Sequence, residues 1–301
     1  MNPELGAALA IASMLCFASN MLISRYAMTR MPIDSGFFIV LSVNVVVCGA
    51  IFLVDLATRD APFEFQAVPA LNFAAAGLVG AYLGRRLLFE AVRLLGPART
   101  SVFHSCAPVP TMVFAWLLVG ETLGLYEISL MAMVLVGLWI TQPPGRDMSV
   151  SRGDRASLRK GAIFGLLTIT GFAASNAIRG HAVREWDEAM FGTLLGAAAA
   201  LAMQAAMTRD WKRIAREFRA APRSGLILYG AGGLATLGGA YFLISASKHI
   251  EIALAALITH TTPIVVFPFS VFVLGNGEGL TRRTFVGVAL VLAGITLLTF
   301  R

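Results

Sequence analysis

Stretches of apolar residues, each long enough for a membrane helix, recur about every 30 residues along the chain with short polar segments between them. A helix needs roughly 20 apolar residues to cross a hydrocarbon core of about 30 Å, whereas a β-barrel strand alternates apolar and polar residues over about 10. The chain shows no such alternation, so the pattern predicts an all-α integral membrane fold. We place ten transmembrane helices, at about residues 5–27, 35–57, 69–93, 98–120, 124–141, 161–182, 187–207, 224–247, 251–274 and 283–300.

The composition requires lipid as the solvent for most of the chain. Of the 301 residues, 57% are hydrophobic and 14% are charged, whereas a soluble domain carries about a quarter charged residues. The N-terminus lacks the cationic region of a cleavable signal peptide, so we interpret it as a retained first span. We expect a multi-pass protein of the cell (inner) membrane with membrane lipid as a partner, and the pattern leaves the oligomeric state open.

Neither nucleic acid nor a cofactor is indicated. The net charge of +7 is typical of the basic loops that orient membrane proteins, and no aromatic-basic motif for nucleic acid accompanies it. Cys16, Cys48 and Cys106 fall inside apolar stretches without metal-ligand spacing, so we expect buried reduced thiols and no metal site. The sequence has no HExxH, GxSxG or P-loop motif, which argues against an enzyme.

Two longer polar segments interrupt the apolar pattern. Residues 143–160 begin with Pro143, Pro144 and Gly145, which stop a helix, so we interpret this segment as a linker. Residues 208–223 place Trp211, Ile214, Ala215 and Phe218 at helical spacing, with Lys and Arg on the other face. This pattern fits either a short interfacial helix on anionic lipid or a solvated basic loop.

The chain repeats itself at an offset of 155 to 157 residues. The matching pairs are Asn20 and Asn176, Pro108 and Pro263, Glu121 and Glu278, and Gly137 and Gly294. These pairs predict one five-helix repeat in residues 1–142 and a second in residues 161–301. Because five is odd, the second repeat enters the membrane from the opposite side, so the two repeats are inverted. Inverted repeats are typical of secondary transporters, which bind substrate near the midplane between the repeats.

Several segments in order carry a resemblance to a known family. They include "FASNMLISRYA" in the first span, "FEAVRLLGPARTSVFHSCAPV" across spans three and four, and "LLVGETLGLYEISLMAMVLVGLWI" into span five. The second half has "LISASKHIEIALAALITHTTPIVV" and "GEGLTRRTFVGVALVLAGITLL", so that Gly120-Glu121 is answered by Gly277-Glu278. The chain resembles the drug/metabolite transporter superfamily, specifically its EamA-type ten-helix permeases.

The resemblance implies a fold and a class of activity. It implies a central cavity lined by spans one to four and six to nine, with spans five and ten at the periphery. It also implies transport, often export, of small metabolites, amino acids or drugs without ATP hydrolysis.

The candidate site begins with "YLGRRLLFEAV" at residues 82–92 of the third span. Charges inside a membrane are costly, so they pair, reach the interface or face a wet cavity. Arg86 and Glu90 stand four residues apart and could pair with each other, and both are candidates, with Arg85, for contact with the substrate. Arg85 has no such partner on its helix, so it binds a substrate carboxylate or phosphate or else snorkels to the interface. Gly80 and Gly84 indicate close helix packing.

Four further polar residues are candidates for substrate binding. Asn20 and Asn176, and His104 and His260, occupy corresponding spans of the two repeats, so their side chains line the cavity or bond neighbouring helices. We expect Arg179 and His181 to lie at the interface. We expect Glu121 and Glu278 to cap or tie loops.

These observations predict a secondary transporter, most simply an exporter, of small polar metabolites such as amino acids or organic anions. The alternative is an integral membrane enzyme that acts on an anionic or lipid-linked substrate.

The orientation is predicted in two opposite ways. Most Lys and Arg residues lie on the side of the linker, whereas the opposite side has Arg59, Arg184, Lys248 and Arg301. The positive-inside rule therefore puts the termini outside the cell. The family resemblance implies termini inside.

Overall fold

The computed structural model describes residues 2–60, 62–95, 106–122, 124–141, 155–262, 264–265 and 282–299. In this part of the chain the secondary structure is entirely helical. The helices are α1 (Pro3–Ala27), α2 (Ile33–Thr58), α3 (Ala67–Ala76, a π-helical Gly77–Gly84, and Arg85–Leu95), α4 (Pro108–Val119), α5 (Leu125–Thr141), α6 (Arg155–Glu185), α7 (Ala189–Met207), α8 (Trp211–Ala220), α9 (Arg223–Ala246), α10 (Ile252–His260) and α11 (Arg282–Thr299).

Most of these helices have the character of membrane spans. Helices α1, α2, α3, α6, α7 and α9 are long and apolar enough to cross a bilayer, and α4, α5 and α11 are shorter apolar helices. Large apolar side chains such as Val46, Leu71 and Ile227 are about 70% exposed on the outer surface, where lipid replaces water as the solvent. The predicted spans at 98–120 and 251–274 lie partly outside the described residues.

The helices alternate between two sides of the molecule. On the terminal side, α1 begins and α2, α6 and α9 end, and a Cβ added to Gly6 would lie 2.6 Å from Ile250 in the loop after α9. On the linker side, α2, α6 and α9 begin, and α8 lies beside the start of α2. Since α11 runs antiparallel to α5, it ends on the terminal side as well.

The pattern of helix contacts is the same when the two halves are exchanged. Helix α1 packs on α9 and α10, and its counterpart α6 packs on α3 and α4. Likewise, the contact of α2 with α9 matches that of α7 with α3, while α5 and α11 pack chiefly on each other. The fold is therefore built from two repeats, with α5 and α11 forming a peripheral pair.

The contact between α5 and α11 is reciprocal down to single residues. A Cβ on Gly137 would lie 2.7 Å from Val291 Cγ2, and a Cβ on Gly294 would lie 2.5 Å from Val134 Cγ2. Val134 and Val291 each stand three residues before the glycine of their own helix. Each glycine therefore contacts the equivalent valine of the opposite helix. This reciprocity confirms the predicted correspondence of Gly137 and Gly294.

The structure describes helices in both of the longer polar segments, residues 143–160 and 208–223. Helix α6 begins at Arg155, so the last residues of the predicted linker already form its first turns. Residues 211–220 form helix α8, so the loop alternative for residues 208–223 is wrong: Asp210 caps the helix, Ile214 is buried, and the centre of the Trp211 ring is 5.5 Å from that of Phe38. That this helix lies on anionic lipid stays a prediction.

The three cysteines are free thiols, as predicted, but they are not all buried. Cys48 is buried, Cys16 is partly buried and Cys106 is exposed. The expectation of burial is wrong for Cys106 because it lies in the turn just before α4 rather than within a span.

Candidate functional site

The π-helical segment of α3 lies against α6. The backbone of Gly80 packs directly on Ser175, and a Cβ on Gly84 would lie 3.3 Å from the Phe172 ring. Ser175 Oγ donates a hydrogen bond to the carbonyl oxygen of Ala76 at 2.8 Å. The Gly80 and Gly84 spacing is thus a packing motif, as predicted. Because a π-helical segment changes the phase of the residues that follow it, it sets the direction in which Arg85 projects.

Arg85 lies inside the helix bundle. Its guanidinium carbon is 5.1 Å from the centre of the Phe37 ring on α2, a cation–π contact. Protein atoms surround the guanidinium group, and the residue as a whole is partly buried. The structure therefore places Arg85 beside the interior and not at the interface.

Arg179 lies in the interior too, which corrects the expectation that it sits at the interface. Protein atoms surround its guanidinium group, and the side chain is partly accessible. Its Nη2 atom is 3.7 Å from the position that a Cβ on Gly196 of α7 would occupy. The close packing of Gly77 on Gly196 joins α3 and α7 at this level. The sequence signal for an interior position was weak, because Arg179 stands near the end of its helix.

Arg85 and Arg179 lie at neighbouring levels of the bundle. The Phe37 ring against Arg85 packs in one cluster with Ala200 of α7, and Ala200 is one helical turn from Gly196, which lies beside Arg179. Helical side chains tilt toward the N-terminus of their helix, and α3 and α6 run in opposite directions. Arg85 thus reaches toward the terminal side and Arg179 toward the linker side, so the two converge. Within the described residues, no carboxylate lies within ion-pair distance of either guanidinium group.

The other two charged residues of "YLGRRLLFEAV" do not join this pair. Arg86 is exposed, and Glu90 is partly buried one turn further along α3. Although both residues lie in the described part of the chain, no ion pair joins Arg86 to Glu90, so the expected pairing is not formed. Glu90 interacts elsewhere in the structure.

The two asparagines occupy corresponding places on α1 and α6. Asn20 is partly buried, accepts a hydrogen bond from Ser24 Oγ at 3.3 Å, and lies with Oδ1 3.2 Å from the Cβ position of Gly232 on α9. Asn176 is partly buried and stands three residues before Arg179, which places both on neighbouring positions of one helix face. That both amides reach one central volume stays a prediction.

The histidines divide between the described and undescribed parts of the chain. His260 is the last residue of α10, is partly buried and has an interaction with a neighbour. His104, Pro263 and Glu278 lie outside the described residues. His181 stands near the terminal side with its Nε2 atom 3.4 Å from Glu185, about a third exposed, as expected for an interfacial residue.

The Gly-Glu element is a structural tie, as predicted for Glu121. Gly120 ends α4 in a left-handed conformation with φ 69°, which glycine adopts without strain. The turn directs Glu121 to the start of α10, where its Oε1 accepts a hydrogen bond from the Ile252 amide at 2.9 Å. The same carboxylate pairs with Arg184 Nη2 at 2.7 Å.

Arg184 completes this tie across the two repeats. Its Nε donates to the carbonyl oxygen of Ser247 at 2.8 Å, and its Nη2 donates to that of Ile250 at 3.0 Å. The end of α6 is thereby held to the loop between α9 and α10. Glu121 from the first repeat neutralises the charge at this point.

The other cations of the terminal side also have carboxylate partners. Arg59 donates to Glu188 Oε1 at 2.6 Å and also pairs with Asp55. The hydrogen bond to Glu188, and then that to Asp55, raises the pKa of the Arg59 guanidinium above its usual value. Lys248 pairs with Asp187. In the described part of the terminal side, every Lys and Arg is therefore neutralised by a carboxylate.

Two other kinds of site receive no support. The described residues contain no group of three or more His, Cys, Asp or Glu that could hold a metal ion. An open, mostly apolar groove on the outer surface is lined by Met112, Val113, Trp116, Glu121, Thr122 and Ile128. This groove contains none of the interior residues, so the arginine pair is the stronger candidate site.

Known proteins resemble this chain both in sequence and in fold. The EamA-like transporter family matches the chain twice, over residues 4–142 and residues 159–300. A protein of known crystal structure superimposes with a TM-score of 0.74 at 17% sequence identity, over 97% of each chain. No curated protein matches the chain significantly.

Proposed function

Because the chain belongs to the EamA-like transporter family, we propose that it exports small polar metabolites, such as amino acids or organic anions, by alternating access. The observation that carries this proposal is the position of Arg85. A guanidinium group that lies among protein atoms within a span, without a described carboxylate beside it, is costly unless a polar substrate or water solvates it there. Asn20, Asn176, His104 and His260 are the further candidates for contact with the substrate.

Contacts between the two repeats at both ends of the molecule support alternating access. On the terminal side, Glu121 pairs with Arg184 and Arg59 with Glu188. On the linker side, Asp34 pairs with Arg213. Opening to either side requires that these ion pairs exchange for water and that the apolar contacts between the repeats at the same end separate. Such rocking of one repeat against the other is the usual motion of inverted-repeat transporters.

A paired efflux and flux experiment tests the proposed function. Cells with and without this gene are screened for resistance to, and efflux of, amino acids, nucleobases and organic acids. The compound found is then loaded into proteoliposomes that contain the purified full chain. We expect it to cross the membrane chemically unchanged. A chemically altered product would instead favour a membrane enzyme, and the absence of any protein-dependent flux would contradict transport.

We propose that the linker side faces the cytoplasm of a cell with this protein in its inner membrane. The terminal-side cations Arg59, Arg184 and Lys248 are neutralised, whereas Lys212, Arg216 and Arg219 of α8 are exposed on the linker side. The positive-inside rule then puts the termini outside. Fusion of alkaline phosphatase and of a fluorescent protein to the C-terminus tests this. A fluorescent fusion with an inactive phosphatase would put Arg301 in the cytoplasm and contradict the orientation.

A further inference from the structure

We propose that Arg85 and Arg179 together bind a small organic dianion, such as a dicarboxylate or a phosphate monoester, between the two repeats. The inference rests on the proposed function, because it names the substrate class and adds a residue from the second repeat to the site. The juxtaposition of the two guanidinium groups, one from each repeat, carries it.

The first step is the charge balance of the interior. The Arg85 and Arg179 guanidinium groups lie at neighbouring levels of the bundle, beside Phe37 and Gly196, and no carboxylate of the described residues lies within ion-pair distance of either. By contrast, the terminal-side cations Arg59, Arg184 and Lys248 each have a carboxylate partner. A single negative charge leaves one of the two interior charges uncompensated, whereas two negative charges on one ligand compensate both. Coulomb attraction is strong in this setting because little water screens it.

The second step is the chemistry of arginine. A guanidinium group is planar and binds carboxylate or phosphate oxygens through two parallel hydrogen bonds. Two such groups that converge from opposite directions can each bind an anionic group at one end of a short ligand. The site therefore favours a compact molecule with anionic groups at both ends, or one phosphate whose oxygens reach both arginines.

The third step is the support of each side chain. The Phe37 ring packs against the Arg85 guanidinium at 5.1 Å and leaves its edge free for hydrogen bonds. Gly196 leaves room for Arg179, because a Cβ there would lie 3.7 Å from Nη2 and a larger side chain would displace it. Both guanidinium groups are thus positioned by packing and not by ion pairs, so their hydrogen-bonding edges remain available for a ligand.

Thermal unfolding of the purified full chain in detergent, with matched probes, tests the proposal. Succinate, succinamate and succinamide have nearly the same size and carry two, one and no negative charges, and inorganic phosphate represents the phosphate class. A ligand that binds the folded state raises its melting temperature. We expect succinate or phosphate to stabilise the protein most, succinamate less and succinamide not at all. Which dianion stabilises more distinguishes the dicarboxylate from the phosphate ester.

Variants assign the effect to the two arginines. Arg179→Gln and Arg85→Gln should each weaken the apparent affinity for the dianion by about tenfold or more, since each removes a charged hydrogen-bond donor. Arg179→Lys should retain part of the affinity, because it keeps the charge and loses the planar fork. Arg223→Gln, which removes an exposed cation at the start of α9, should bind as the wild type does.

Several outcomes would overturn the proposal. They are equal stabilisation by all three succinate analogues, no stabilisation by either dianion, or unchanged affinity in Arg179→Gln. The proposed transport function is judged separately. Protein-dependent flux that is unchanged in Arg179→Gln would support the transport function and contradict the dianion site. Dianion binding without any flux would support the dianion site and contradict the transport function.

Discussion

Arg179 and Arg184 lie on the same helix, five residues apart, and have opposite surroundings. Arg184 stands at the terminal side, where Glu121 and the carbonyl oxygens of Ser247 and Ile250 bind it. Arg179 stands in the interior beside Arg85, without an ion pair to any described carboxylate. The protein therefore neutralises the Arg184 guanidinium group with its own carboxylate, whereas no described carboxylate pairs with that of Arg179.

The difference separates two uses of a cation in a membrane protein. A guanidinium group that its own chain neutralises holds helices together, and it gains nothing from a ligand. A guanidinium group that faces an internal space without such neutralisation is costly in lipid, so its presence favours a role in binding. The first kind should affect stability when it is changed, and the second should affect transport.

The largest effect should follow loss of the carboxylate on the terminal side. Glu121→Gln removes the charge that neutralises Arg184, and breaking a largely buried ion pair on one side costs about 3 kcal/mol. Glu121 is only 9% exposed, and it also caps α10 through the Ile252 amide. We expect a lower melting temperature in detergent and a lower yield from membranes.

The Arg184→Gln variant is the matched control for this prediction. It should destabilise the protein by a similar amount, because it leaves the Glu121 carboxylate without its cation and removes the hydrogen bonds to the Ser247 and Ile250 carbonyl oxygens. If Glu121→Gln melted like the wild type but lost transport, Glu121 would belong to the substrate path and the division between the two regions would fail.

The next largest effect should follow loss of Arg85. Arg85→Ala is expected to lower transport by about tenfold to a hundredfold, since a hydrogen bond to a charged group contributes about 1.5–3 kcal/mol. Arg86→Ala should change it by less than about twofold, because Arg86 is exposed on the same helix. Transport rates are normalised to the amount of protein in the membrane. Equal, near-complete loss of expression in both variants would show that both residues are structural.

Much of the fold was predictable because lipid imposes a simple rule. A span must be apolar over roughly 20 residues, so the apolar runs predicted α1, α2, α7 and α9 to within about two residues at each end. The repeat was predictable because one offset relates Gly137 to Gly294, and the structure makes that contact reciprocal. The start of α6 was less predictable, because Arg155 and its neighbours are polar and their helix extends beyond the apolar run.

The site was only partly predictable. Arg85 stood out because the charge lies within an apolar run, but Arg179 lies near the end of its helix, where a snorkelling position is equally consistent with the pattern. Its interior position depends on Gly196 of another helix, and no single-helix pattern contains that information. The π-helical segment before Arg85 likewise packs through Gly77 and Gly80 on two neighbouring helices, which the sequence of the third span alone does not reveal.

A smaller effect should follow loss of the amide near Arg179. Asn176→Ala is expected to lower transport by about fivefold, since one neutral hydrogen bond contributes about 1 kcal/mol. Thr170→Ala on the same helix is the control, because the Thr170 hydroxyl already donates to its own helix at the Leu166 carbonyl oxygen. Equal transport in both variants would remove Asn176 from the interior site and restrict the site to the arginines.

The smallest effect should follow loss of an ion pair that water already solvates. Arg213 pairs with Asp34 at 2.8 Å on the linker side, and the two side chains are 50% and 47% exposed. The hydrogen bond to Asp34 raises the pKa of the Arg213 guanidinium, so this residue stays charged across the physiological range. Its neutralisation by Asp34 resembles that of Arg184 by Glu121 in geometry but not in burial.

Because exposed pairs contribute little and salt screens them, Arg213→Gln should shift the melting temperature by no more than about 1 °C. Transport should remain unchanged. A shift as large as that of Glu121→Gln would mean that burial does not decide the strength of these ties, and both ends of the molecule would then hold the two repeats together equally.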